Sequence, residues 1–401
     1  MRPLKFVFPS FRRLNDMTRS PIRLMIAGGG TAGHITPGTA VVEAMRRRSM
    51  PHDILWIGVS GRAEEDLVPR ADIPLRTLHL KGLERSLSLS GILRNAWTAI
   101  DWITMRPLLS ARRLIREFRP DLVLGTGGYV CAPVLTAARL MNIPTLILEQ
   151  NSVPGLTVRL LSRWVDRVGI AYPDSGCLLK GRSVSCVGNP ISNSIVTADR
   201  AEGIRMFNLD PARRTLLVIG GSLGSTVLND AVAGYLSLRG TDDHGWQILH
   251  SVGRNKFDAY MRRTPSFAEY HPHAYIYAPA LALAAADLVL CRAGAMTLAE
   301  LTARGVPAIV VPWPGAVRDH QTTNAKTLAR AGAAIMIRES ELSGATLSDT
   351  ITSFNSDSER LVRMAEASRK LGNPRAADDV LDIVLKMMNW TACAADQGDR
   401  S

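Results

Sequence analysis

The stretch Ala27-Gly28-Gly29-Gly30-Thr31-Ala32-Gly33-His34-Ile35-Thr36-Pro37 decides how the chain is read, because here a glycine-rich turn joins an apolar run to a helical one. Ile22, Leu24, Met25 and Ile26 ahead of it read as a buried strand, and Ala40, Val41, Val42, Ala44 and Met45 recur at helical spacing after Pro37. The turn is then expected at the carboxyl end of a strand, the edge where open α/β sheets bind ligands. Glycine lets the backbone approach a ligand closely, and the helix that follows offers unpaired N–H groups and partial positive charge to an anion. His34 adds a titratable group that a purely structural turn does not need. No Lys-Ser/Thr follows, so this is not a P-loop, and no acid closes the next apolar run, Ile54-Leu55-Trp56-Ile57-Gly58, as a dinucleotide fold would require. A tight strand-to-helix turn with a surface histidine is the plain alternative.

With 401 residues, 46% hydrophobic and 21% charged, the chain suggests two or three globular domains with ample core. No apolar run approaches the ~20 residues that span a bilayer. Residues 1–16 carry Lys5, Arg12 and Arg13 without the apolar core or cleavage site of a signal peptide, and residues 1–20 are expected to be a disordered extension. Cys131, Cys177, Cys186, Cys291 and Cys393 form no C-x-x-C pair and have no nearby histidines, so they read as free thiols with no metal site. The net charge of +12 calls for a partner of opposite sign. Nucleic acid is not expected, because no helix-turn-helix, zinc-finger or RNP-type motif occurs.

Strand-like runs alternate with helical patterns at 22–27, 54–58, 121–125, 144–148 and 168–171, then at 215–220, 247–252, 274–277, 287–291 and 307–311. That alternation is the signature of parallel sheets in two α/β domains. The expected division is a first domain over 21–190, a polar linker over 191–213, a second domain over 214–372, a closing helix within 373–390 and a frayed tail over 391–401. Residues 81–119 hold eight basic and three acidic residues, interleaved with Leu, Ile and Trp, and Pro107 should end one helix and start another. They read either as two amphipathic core helices or as a surface that lies on an anionic membrane without crossing it.

Polar clusters recur where loops should follow strands: Thr126-Gly127-Gly128-Tyr129, Glu149-Gln150-Asn151, Gly220-Gly221-Ser222-Leu223-Gly224, Arg292 to Glu300, and Asp319 to Ala325. Glu300 could take both hydroxyls of a ribose while Ser222 and a helix N-terminus hold a diphosphate; alternatively it is a first-turn acid that favours the helix dipole. No D-x-D pair is present to hold a divalent metal on a diphosphate, which leaves leaving-group charge to backbone dipoles and hydroxyls.

In order, these motifs and Val187-Gly188-Asn189-Pro190 resemble those of the MurG family of peptidoglycan glycosyltransferases, over about residues 22–385. The resemblance implies a GT-B fold: two Rossmann-like parallel-sheet domains face a cleft, and the C-terminal helix crosses back to the first. It also implies metal-independent, inverting transfer of N-acetylglucosamine from UDP-N-acetylglucosamine to an undecaprenyl-pyrophosphoryl-N-acetylmuramoyl pentapeptide, with no cofactor, at the cytoplasmic face of the cell membrane.

Carried onto this chain, the resemblance makes Glu300 the ribose ligand. It places Arg292, Ala295, Met296, Thr297, Leu298, Ala299, Ser222 and Ser192 around the donor, with Gln321 and Asn324 near the sugar and the Ile276 backbone against uracil. From the first domain it adds Thr31, Ala32, Gly33 and Asn151 to the donor side, and gives Gly29, Gly30, Thr126, Gly127, Gly128 and Tyr129 to the acceptor diphosphate. His34 and Glu149 are the two candidates for the base. Three positions depart from the family pattern: Ser192 stands where a basic residue is usual, Leu223 replaces a glutamine and Val158 an asparagine. Another GT-B transferase, a UDP-sugar epimerase and a nucleotide-sugar-binding scaffold are the alternatives on the same fold.

Overall fold

The computed structural model describes residues 21–80, 105–180, 183–221, 223–239, 245–265 and 267–390. The expected extension at 1–20, residues 81–104 of the basic segment, Ser222, Cys393 and the tail at 391–401 lie outside them.

Two fully parallel sheets carry the fold. The first contains β1 (Ile22–Gly28), β2 (His52–Val59), β3 (Leu75–Leu78), β4 (Leu122–Gly127), β5 (Thr145–Glu149), β6 (Arg167–Ile170) and β7 (Val184–Cys186), in the order β3-β2-β1-β4-β5-β6-β7. The second contains β8 (Arg214–Ile219), β9 (Trp246–Ser251), β10 (Tyr270–His273), β11 (Leu288–Cys291), β12 (Ala308–Val310) and β13 (Ala334–Met336), in the order β10-β9-β8-β11-β12-β13. Strand order reverses beside the first strand of each sheet, and β1 and β8 therefore end at the switch points where such sheets bind ligands. Side chains alternate across the pleat: Leu24 and Ile26 enter one core of the first sheet, while Met25 enters the opposite one with Ala27. β8 does the same, with Leu217 on one face and Leu216 and Val218 on the other. Burial on both faces explains why these strands read as continuous apolar runs. Among the described residues no helix is long and apolar enough to cross a membrane.

The closing helix, Ala376–Met387, packs on the first domain. Ala377, Val380, Leu381 and Val384 join the core under the helix Ala32–Arg47, while Asp378 pairs with Arg47 and Arg48, and Asp382 with Arg48. Asn373 Nδ2 donates to the Val187 carbonyl at 2.9 Å where the two passes between domains cross.

Three local expectations are corrected. The first helix starts at Ala32, not after Pro37, so proline sits inside it and the Gly33 carbonyl loses its usual helical donor. The strand expected at 274–277 lies at Tyr270–His273 instead; this is an edge strand, where Pro272 costs no ladder bond. The polar stretch 192–213, read as turn and linker, contains the helices Asn193–Thr197 and Arg200–Met206, and Ile195, Phe207 and Leu209 around them enter the second core. Strands β3, β7 and β13, of three or four residues each, were not anticipated.

Candidate active site

The glycine turn at the end of β1 sits over Glu64. This fully buried carboxylate accepts from Gly30 N at 2.9 Å and Val59 N at 2.8 Å, tying the turn to the end of β2. No sequence pattern marked Glu64, because its contact to the glycine turn spans 34 residues of the chain. The second glycine turn closes on the first: Thr126 Oγ1 donates to the His34 carbonyl at 2.6 Å. Gly127 has φ +113°, and a side chain there would meet His34 Nδ1 at 2.3 Å, so only glycine lets the ring lie against this turn. Thr31 and Ala32 are exposed, and Gly33 and His34 half-buried. Tyr129 packs beside the core with its hydroxyl buried.

His34 Nδ1 lies 3.3 Å from Gln150 Oε1. Burial pushes the imidazole pKa below its ordinary 6.5, against smaller raising effects from Gln150, Thr126 and the charge of Glu64. Glu149, buried at the end of β5, accepts from Asn151 N at 2.9 Å through one oxygen and from Gly155 N at 2.8 Å through the other. Burial raises its pKa and these N–H donors oppose the rise. Its carboxylate is thus committed to the loop 149–155, whereas the imidazole keeps one nitrogen, Nε2, without a partner among the described residues.

In the second domain the helix Ala295–Arg304 follows β11. Gly294 precedes it without a capping side chain, and its first turn holds no acid, so its N-terminal N–H groups are available to an anion. Ala295, Met296 and Leu298 are buried; Thr297 and Ala299 are partly exposed. Glu300 falls in the second turn, which removes the first-turn capping alternative. Burial lifts its carboxyl to about 7, and no hydrogen bond or ion pair relieves it among the described residues. Ile276 follows β10, beside the pair Tyr275 and Tyr277 over which Arg254 stacks. Gln321 fixes its carbonyl on Trp313 N at 2.9 Å, leaving the amide NH₂ free of any described partner. Lys256 Nζ holds the glycine turn after β8 through the Leu223 and Gly224 carbonyls.

The two halves meet at these loops. Asn324, fully buried, accepts from Ser152 N at 3.1 Å and Ser152 Oγ at 2.7 Å, and its amide donates to Asn151 and to the Ala293 carbonyl. Asn189 donates to the Gln150 and Ala295 carbonyls, one in each domain. Gly33 faces Met296, and His320 is close enough to His34 to disfavour its charged form. Ser192 caps the helix Asn193–Thr197 through Ser194 N. Arg292 is turned to Ser225, the Val311 carbonyl and Glu339, bracing three loops. Sequence reading names Gln150 only as a member of the cluster Glu149-Gln150-Asn151, without a role, and passes over Ser152 and Glu64; proximity to Asn151 is the signal available for Ser152.

Comparison with known proteins agrees with this arrangement. The N-terminal domain of glycosyltransferase family 28 matches residues 24–170, and the C-terminal domain of that family matches residues 215–380. The chain is 38% identical to a UDP-N-acetylglucosamine–N-acetylmuramyl-(pentapeptide) pyrophosphoryl-undecaprenol N-acetylglucosamine transferase of Desulforamulus reducens, over 92% of this chain and 99% of that one. It is equally similar to the transferase of the same name from Halalkalibacterium halodurans, over 89% of this chain and 97% of that one. The crystal structure of Acinetobacter baumannii MurG superposes with a TM-score of 0.69 at 29% identity, covering 91% of this chain and 100% of that one. A putative UDP-N-acetylglucosamine 2-epimerase from Listeria monocytogenes shares the fold alone, with a TM-score of 0.65 at 16% identity over 93% of this chain and 98% of that one. Fold and site together define a GT-B glycosyltransferase. Within that class, the chain belongs to the MurG family of glycosyltransferase family 28.

Proposed function

We infer that the chain transfers N-acetylglucosamine from UDP-N-acetylglucosamine to undecaprenyl-pyrophosphoryl-N-acetylmuramoyl pentapeptide, converting lipid I to lipid II in peptidoglycan synthesis. The observation that carries this reading is the Glu300 carboxylate, half-buried and without a partner among the described residues, one turn beyond an uncapped helix N-terminus. Ribose hydroxyls would supply the donors it lacks, and the helix end would take the diphosphate. In the proposed step His34 Nε2 removes the proton of an acceptor hydroxyl. The freed oxygen attacks the anomeric carbon from the face opposite UDP. The bond from that carbon to the phosphate oxygen breaks with its electron pair, so configuration inverts and UDP departs. The helix N-terminus and the Gln321 amide meet the charge that develops on the diphosphate. Glu149 holds the loop that carries Asn151 and is assigned a positioning role. Thr31 to Gly33 approach the donor from the first domain, and the turns at Gly29–Gly30 and Thr126–Tyr129 receive the acceptor diphosphate.

We further propose that the enzyme works as a peripheral protein on the cytoplasmic face of the membrane that holds its acceptor. Leu109, Leu140, Leu156 and Leu160 are exposed on helices of the first domain and Trp164 in the turn that follows one of them, among exposed Arg113, Arg159 and Arg163. Leu140 and Trp164 line one depression together with Arg139 and Arg163. Apolar tips amid arginines suit an anionic interface. This surface continues the described part of the basic segment, the helix Arg106–Phe118, onto neighbouring elements.

Purified protein, radiolabelled UDP-N-acetylglucosamine and lipid acceptor in detergent should yield a labelled disaccharide-lipid. No transfer where a control enzyme is active would overturn the reading, and epimer formed without acceptor would point to the epimerase chemistry of the fold's other members.

A further inference from the structure

We propose that Gln150 is a positioning residue that sets the tautomer of His34, holding the proton on Nδ1 so that Nε2 presents a lone pair to the acceptor hydroxyl. The proposal rests on the reading of His34 as the base. Its geometry comes from an amide that can point only one way. Gln150 is 3% exposed, and its Nε2 donates at 2.8 Å to the Thr126 carbonyl, a group that can only accept. The NH₂ end being fixed there, the other end facing His34 Nδ1 is the carbonyl oxygen, also acceptor-only. The Nδ1 partner in this contact is therefore N–H. A histidine side chain in water favours the opposite tautomer, with the proton on Nε2, which would present a donor where the reaction needs an acceptor.

Other contacts hold Gln150 itself in place. Its backbone carbonyl accepts from Asn189 Nδ2 at 3.0 Å, and Asn189 also reaches the Ala295 carbonyl of the donor-domain helix. The ring is bordered on the opposite side by Gly127, whose missing side chain leaves the space that Nδ1 occupies, and the bond from Thr126 Oγ1 to the His34 carbonyl ties down the backbone that carries it. The charged groups that face the imidazole are Glu64 beneath its own turn and His320 across the cleft; they act in opposite directions, and neither makes a hydrogen bond to the ring. When Nε2 takes the acceptor proton, the Nδ1–H bond to Gln150 persists, so the ring need not reorient between its neutral and charged forms.

The test reads the tautomer directly. Full-length protein labelled with 15N in its histidines, with the His34 signals assigned by their loss in His34→Gln, is measured by long-range 15N–1H correlation at a pH where the ring is neutral. A protonated Nδ1 is expected in the parent, and a shift of the proton to Nε2 in Gln150→Met. Kinetically, Gln150→Met should lose about 10- to 100-fold in kcat, part of the ~10²–10⁴-fold that a base supplies, with KM for UDP-N-acetylglucosamine unchanged. Gln150→Glu keeps an acceptor toward Nδ1 but loses the amide that donates to the Thr126 carbonyl, so it should retain the proton on Nδ1 while recovering only part of the rate. A protonated Nε2 in the parent overturns the proposal without reference to any variant. So does Gln150→Met with kcat intact or with the proton still on Nδ1. Full kcat in His34→Ala would instead overturn the base assignment, and the nitrogen spectrum, which does not depend on turnover, separates that failure from this one.

Discussion

Glu300 is a carboxyl with no partner among the described residues, and its burial ties the proposed ligand binding to protonation. With the acid lifted from 4.5 to about 7, the ionised form that would accept ribose hydroxyls predominates only above neutrality. UDP affinity, measured by calorimetry, should fall as pH drops below 7, and Glu300→Gln should bind about 10- to 100-fold more weakly at pH 8 with that pH dependence gone. The same burial costs the unliganded fold. Below about pH 4.5 the group is protonated whether folded or unfolded and costs nothing; the penalty grows between 4.5 and 7 and is complete above it. Glu300→Gln should therefore stabilise the unliganded protein at pH 8 by about 2–3 kcal/mol and leave it unchanged near pH 4.5, as chemical denaturation can read. His34 titrates lower: its burial puts the acid limb of kcat, with donor saturating, below pH 6.5, and the rate falls as pH drops through that limb. His34→Ala should lose about 10²- to 10⁴-fold in kcat and the limb with it.

At the scale of single elements, glycine turns make the first-domain half of the cleft, and a methyl group is enough to test them. Gly127→Ala forces a left-handed backbone onto alanine and drives its Cβ into the His34 ring. The expected result is a fall in kcat of about 10-fold or more with UDP affinity unaltered, since the proposed nucleotide site lies on the other domain. The helix Leu156–Leu161 and its neighbour Trp164 carry a different expectation: Leu160→Asp with Trp164→Ala should weaken flotation on anionic vesicles and lower activity on vesicle-borne acceptor more than on detergent-solubilised acceptor. The central strands were legible because burial on both faces leaves unbroken apolar runs, as in Leu122-Val123-Leu124 and Leu288-Val289-Leu290. Short strands such as Ala334–Met336 carry too few residues to show a period, and Tyr270–His273 hides behind a proline and two histidines. Motif residues such as His34, Asn324 and Glu300 could be picked out, but not what each one faces. Glu64, Gln150 and Ser152 reach the site through tertiary contacts far along the chain, to Gly30, Thr126 and Asn324, which no local spacing records.

For the whole molecule, the two halves are joined by few polar contacts, and Asn324 stands at their centre with Ser152, Asn151 and Ala293 as partners. The closing helix binds the ends of the chain more firmly, through apolar burial and the pairs of Arg47 and Arg48 with Asp378 and Asp382. Leu381→Ala should destabilise the first domain by about 2–5 kcal/mol, seen as an earlier thermal transition, and leave the second domain's transition in place. This clasp also has a consequence for biosynthesis. Leu24, Val41 and Met45 are among the earliest residues of the fold to be made, yet part of the surface that covers them, Val380, Leu381 and Val384, is made after the whole second domain. During translation the first domain must wait with that apolar face uncovered, and the helix Ala376–Met387 completes a core begun more than three hundred residues earlier.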